Sequence, residues 1–250
     1  METSDFYTLL AQVAARLRRR LLILAGLLGI ATCVGYYLAD DVMRCLFGMV
    51  RQVIFISPTE AFVTKLKVSF AIGLAMSLPA FIYLAIGVLK GRVRDFSRRS
   101  HLLLTLAGFA LFLVGAAFCY LAVLPVGINF LLGFATLEMQ PLLSAGRFVS
   151  FVLTCMLAFG LMFELPLIIM LLAALGLLTA DTLRAKRRYA IVLIFIVAGA
   201  LTPSPDVVSQ ILLAVPMLAL YEAGIFLSRL CRRPEEKLPE MPPDQQQIFN

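Results

Sequence analysis

Glu164 is the residue in this sequence whose chemistry most demands an account. It sits inside residues 148–180, a run with no other charge. A carboxylate at that depth in hydrocarbon costs at least about 2.5–3.5 kcal/mol on insertion scales, so it must meet a cavity, a polar partner or a proton. Two uses are open: an interhelical hydrogen bond, or a functional site. Pro166, two residues on, removes a donor and frees a backbone carbonyl, which predicts a bend and a concave surface beside Glu164. Pro79 and Pro216 interrupt two other apolar runs in the same way.

Other polar groups stand at the edges of apolar segments. Thr202 and Gln210 flank the turn Thr202-Pro203-Ser204-Pro205-Asp206, where the prolines stop one helix and Asp206 can cap the next. They either cap helix ends or offer hydrogen bonds to a partner's transmembrane helix, each worth on the order of 1 kcal/mol. Ser57-Pro58-Thr59-Glu60 has capping-box spacing, with Ser57 as N-cap, and reads as a structural helix start. His101 is the single histidine, and with no second histidine or cysteine nearby it supports no metal site. The five cysteines show no CxxC pair and read as small packing residues. No H-E-x-x-H, G-x-S-x-G, P-loop or dinucleotide fingerprint occurs, so the chain is expected to be no enzyme and to hold no cofactor or metal.

The elements that position these groups follow from the composition. Of 250 residues 61% are hydrophobic, and mean hydropathy is +0.95, far above soluble domains. The formal charge of +7 could suggest nucleic acid, but the basic clusters flank apolar runs and read as topology signals in a lipid bilayer. Spanning-length segments run over residues 21–39, 68–89, 101–124 and 149–178, with shorter ones at 189–201 and 207–228. Loops are expected at 40–67, 90–100, 125–148 and 179–188. Residues 231–250, rich in Pro, Glu and Gln, read as a disordered cytoplasmic tail after a membrane domain over 1–230.

Six spans is the simplest count, which makes the expected class all-α and polytopic. Of the 22 Lys and Arg, 17 fall before the first span, in the second and fourth loops, or after the last span; only Arg44, Arg51, Lys65, Lys67 and Arg147 fall on the other side. That bias predicts both termini in the cytoplasm. The fifth segment offers only about 13 residues, roughly 20 Å of helix against about 30 Å of hydrocarbon. It and the sixth, which carries Glu222, are expected to be shorter than the others.

Three stretches resemble the TatC family, the polytopic core subunit of the twin-arginine protein translocase: SPTEAFVTKLKVSF from Ser57, FGLMFELPLIIMLLAALGLLTADTLRAKRRY from Phe159, and LTPSPDVVSQILLAVPMLALYEAGIFLSRL from Leu201. With LRRRLL from Leu17, the resemblance spans nearly the whole chain before the tail. It implies six helices in a concave, glove-like bundle in a bacterial inner membrane, a receptor for twin-arginine signal peptides on the cytoplasmic face, and assembly with single-span TatA/TatB-type partners as a homo- or hetero-oligomer. It implies a cavity carboxylate at Glu164 and partner docking at Thr202 and Gln210.

Two positions depart from the family pattern. Glutamates that help bind the signal's arginine pair align with Arg16 and with Ser97, just before Arg98-Arg99. Asp95 is the nearest substitute carboxylate, so Asp95, Ser97, Arg98, Arg99 and Arg16 are the candidate signal contacts. The leading reading is a translocase receptor; the alternative is a TatC-like paralogue that lost recognition and became a non-transporting scaffold of another membrane complex. A carrier using Glu164 as a proton site ranks third, because no internal repeat accompanies it.

Overall fold

The computed structural model describes residues 3–50, 53–89, 97–133, 143–174, 176, 178–202 and 207–230. In chain order the elements are α1 (Thr3–Phe47), β1 (Val53–Ile54), α2 (Pro58–Leu89), α3 (Arg98–Phe118), a π-helical turn (Cys119–Val123), α4 (Leu124–Leu132), β2 (Leu143–Ser144), α5 (Ala145–Ala174), α6 (Ala180–Ala185), α7 (Arg187–Leu201) and α8 (Val207–Leu230). The fold of the described residues is all-helical apart from the short parallel pairing of β1 with β2, Val53 opposite Leu143 and Ile54 opposite Ser144. Among these residues, five helical stretches are long and apolar enough to cross a membrane: Arg18–Phe47, Pro58–Gly87, Arg98–Phe130, Ala145–Ala173 and Gln210–Arg229. The chain is therefore a multi-pass membrane protein. The 15-residue α7 spans only about 22 Å and falls short of that length by itself.

Two expected loops are partly helical. Residues 40–47 extend α1, and α2 begins at Pro58, well ahead of its apolar stretch. Hydropathy falls at Asp40, but helix propensity does not, and the polar turn is held by the ion pair of Arg44 with Asp41 and by Lys65 Nζ donating to Asp40 Oδ2 at 2.7 Å. Pro125 likewise does not end its helix. The turn before it widens to π geometry, with Leu124 N–H bonded to Cys119 O, which lets the proline ring enter a continuing helix as far as Leu132.

α5 is the central element, packed against α2, α3 and α8, while α1 lies along α2 and the short α7 lies on α8. Buried residues on α3, His101, Thr105, Gly108, Phe112 and Gly115, recur every three or four positions and form one stripe. Without a strong hydrophobic drive between helices in lipid, small residues set the crossings. A Cβ on Gly115 would lie 2.7 Å from Phe159 O of α5, and one on Gly35 would lie 2.5 Å from Ser69 O of α2. The core between helices holds Val68, Cys119, Val149, Val152, Cys155, Phe159 and Met217, whereas Leu22, Ile23 and Ile30 of α1 face outward, as lipid-facing residues do.

Candidate functional site

At the end of the bundle away from the basic loops, one carboxylate ties two helix starts together. Ser57 is the residue before α2, as its spacing predicts, and its Oγ accepts from Thr59 N–H at 3.4 Å. Glu60 reaches back one residue further than a capping box requires, its Oε2 accepting from Ile56 N–H at 2.8 Å. Its Oε1 crosses to the other loop, accepting from Gly146 N–H at 2.7 Å and from the Ser144 hydroxyl, which in turn accepts from Arg147 N–H at 3.4 Å. Both oxygens are thus satisfied by donors at the N-termini of α2 and α5, where helix dipoles favour negative charge. Pro58 opens α2 without needing a donor.

Glu164 is in the opposite condition. It lies midway along α5, 9% exposed, with Oε1 buried and without a hydrogen-bond partner among the described residues. Pro166 is also buried, and α5 runs on through it to Ala174; Gly224 of α8 comes close to its Cα, where an added Cβ would sit at 3.5 Å. The carboxylate is therefore turned into the helix packing rather than spread over the outer face.

Thr202 and Gln210 meet around the last turn of α7. Gln210 Nε2 donates to Phe195 O at 2.8 Å, and the Thr202 hydroxyl donates to Gly199 O at 3.0 Å. Gln210 thus ties α8 to α7 and Thr202 closes the end of α7 on itself, while among the described residues no donor is seen on Gln210 Oε1 or the Thr202 hydroxyl. At the far end of the same pair, Arg187 donates to Glu222 at 2.5 Å and Tyr221 Oη donates to Leu183 O at 2.9 Å.

Ser97, Arg98 and Arg99 come together at the basic end, where with Tyr83 and Leu102 they line a cleft of about 590 Å³ between α2 and α3. Ser97 caps α3, its Oγ accepting from Arg99 N–H at 3.3 Å. His101 stacks on Tyr83, with ring centroids 4.2 Å apart and planes 2° from parallel, and its Nε2 lies 2.9 Å from Tyr83 O. No acid among the described residues pairs with Arg98 or Arg99. Asp95 and residues 231–250 lie outside the described residues; Arg16 is in α1, and its side chain is outside them too.

The family model of the Sec-independent protein translocase protein TatC matches residues 12–216. The chain belongs to the TatC family. It is similar to the Sec-independent protein translocase protein TatC of Carboxydothermus hydrogenoformans, 33% identical over 223 residues and covering 88% of this chain and 92% of that one. The TatC of Aquifex aeolicus is 34% identical over 230 residues (89% and 95%), and that of Escherichia coli 32% over 236 (92% and 91%). Among solved structures, the crystal structure of a twin-arginine translocase receptor, TatC, matches with a TM-score of 0.80 at 34% identity, covering 88% of this chain and 99% of that one.

Within this TatC-family fold, several contributors carried no sequence signal. Ser144 and Gly146 complete the Glu60 cluster from 84 and 86 residues away, and nothing in their own neighbourhood marks them. Tyr83 and His101 stack across two helices, a pairing visible only once α2 and α3 are placed side by side. Arg187 and Glu222 were each legible as charges near span ends, but not as partners.

Proposed function

We propose that this chain is the polytopic subunit of a Sec-independent, twin-arginine protein translocase in a bacterial inner membrane, receiving the signal peptides of folded proteins and docking single-span TatA/TatB-type partners. The observation that carries this reading is the match to a twin-arginine translocase receptor across 99% of that receptor's length, together with family similarity over most of this chain. In this reading α7 counts as a fifth, short span, giving six helices in a concave bundle with both termini on the cytoplasmic side, where 17 of the 22 basic residues then lie. The partner helix docks at α7–α8, on the acceptors of Gln210 and Thr202, and Glu164 offers its unpartnered oxygen to a polar group from outside the chain.

Signal recognition needs a carboxylate for the arginine pair, and Ser97 and Arg16 supply none. Asp95, close in sequence to Ser97, Arg98 and Arg99, takes that role. Truncating one partner of a desolvated charge pair costs roughly 2–5 kcal/mol of affinity. Asp95→Ala should therefore nearly abolish crosslinking to a twin-arginine peptide, and Arg16→Glu with Ser97→Glu should strengthen it. Full crosslinking by Asp95→Ala would remove Asp95 from the site. A wild type that binds no twin-arginine peptide, while the double substitution gains binding, would favour the scaffold paralogue instead.

A further inference from the structure

We propose that the cleft between the basic ends of α2 and α3 is a binding site for the headgroup of an anionic phospholipid, with Arg98 and Arg99 holding the phosphate and Leu102 and Leu106 flanking its acyl chain. This site does not depend on the receptor reading, but it shares Arg98 and Arg99 with the candidate signal contacts, so lipid and signal peptide would compete for it.

Two adjacent guanidinium groups open onto a cleft of about 590 Å³ with no acid among its described lining residues. Arg98 and Arg99 are exposed and, among the described residues, form no ion pair, so their forked donors remain free for an anion. A phosphodiester accepts two parallel N–H bonds from one arginine, and basic pockets between transmembrane helices take anionic headgroups by this means. Elsewhere on the basic end an acid is already engaged: Arg187 is neutralised by Glu222. Among the described residues the cleft keeps its positive charge uncompensated.

What lies below the arginines favours a lipid over a soluble anion. Leu102 and Leu106 follow Arg98 at helical steps of four on one face of α3, and are 55% and 53% exposed. An apolar strip thus runs from the cationic mouth toward the bilayer interior. Tyr83, stacked on the buried His101, forms the opposite wall and adds an aromatic face of the kind favoured at a membrane interface. Inorganic phosphate would use the arginines and leave the strip idle; a phospholipid uses both. Ser97 matters for the same reason, because a glutamate there would place a carboxylate against the phosphate.

The test is native mass spectrometry of the full chain released from nanodiscs containing equal phosphatidylglycerol and phosphatidylcholine. Wild type should retain phosphatidylglycerol in preference. Arg98→Gln with Arg99→Gln should lower that retention by about twenty-fivefold, the product of roughly a factor of five for each arginine lost near an anionic surface. Arg98→Lys with Arg99→Lys keeps the charge but loses the fork, so it should retain more than the glutamine variant and less than wild type, which separates loss of the site from loss of the fold. Arg184→Gln with Lys186→Gln removes the same charge from another basic loop and should leave retention unchanged. Equal loss in that control, undiminished retention in the Arg98/Arg99 glutamine variant, equal retention of phosphatidylcholine, or complete displacement by millimolar inorganic phosphate would each overturn the proposal.

Discussion

Glu60 and Glu164 are both glutamates on helices that enter the membrane, and the structure treats them in opposite ways. Glu60 has both oxygens occupied by Ile56 N–H, Gly146 N–H and the Ser144 hydroxyl, which together lock the first and third loops. Glu164 is buried with an oxygen that no described residue serves. A carboxylate whose bonds close within the chain is architecture, because its removal unties the fold. One left open among the described residues, at a depth where openness is costly, ties no elements together there, and in the proposed reading it meets a polar group from outside the chain.

The contrast can be broken by substitution. The largest effect on folding is expected at Glu60: Glu60→Ala strands three donors at once and should lower the melting temperature more than a single substitution at Glu164, Gln210 or Arg187. Adding Ser144→Ala to it should cost little more, since the pair acts as a unit, and thermal melts in detergent of the two single variants and the double variant read this coupling directly. Glu164→Leu should behave in the reverse sense, leaving stability unchanged or raising it by up to about 3 kcal/mol, as the insertion cost of the carboxylate is relieved. A marked loss of stability there would mean that Glu164 is a structural residue like Glu60.

Two substitutions at the α7–α8 pair should have smaller effects. Gln210→Leu removes one neutral hydrogen bond between α7 and α8 and should cost about 1 kcal/mol, measurable as a modest shift in the denaturation midpoint. Arg187→Gln breaks an ion pair whose side chains are 49% and 45% exposed, so its cost should lie between zero and about 1 kcal/mol and shrink as salt is added.

Much of this was legible in the sequence because hydrocarbon is an unforgiving solvent. The depth of Glu164, the shortness of α7 and the basic flanks follow from residue type and position along an apolar run, with no tertiary information. The misread features depend on partners distant in sequence. Glu60 matched a local capping motif, and the motif was correct as far as Ser57 reached, but the carboxylate's main bonds go to residues 84 and 86 positions away. Pro125 read as a helix stop because proline usually is one; the π turn at Cys119–Val123 that absorbs it has no composition of its own. The direction in which Glu164 points, and the cleft at Arg98, depend on how helices rotate against one another, which small residues such as Gly115 decide through contacts made after assembly.

That Glu164 serves a partner and not the fold can be checked by export of a twin-arginine reporter in cells whose own TatC is replaced by this chain or by its Glu164→Leu variant, at matched membrane abundance. Wild type is expected to export the reporter, and the variant, equally abundant and at least as stable, is expected not to. Full export by the Glu164→Leu variant would contradict it.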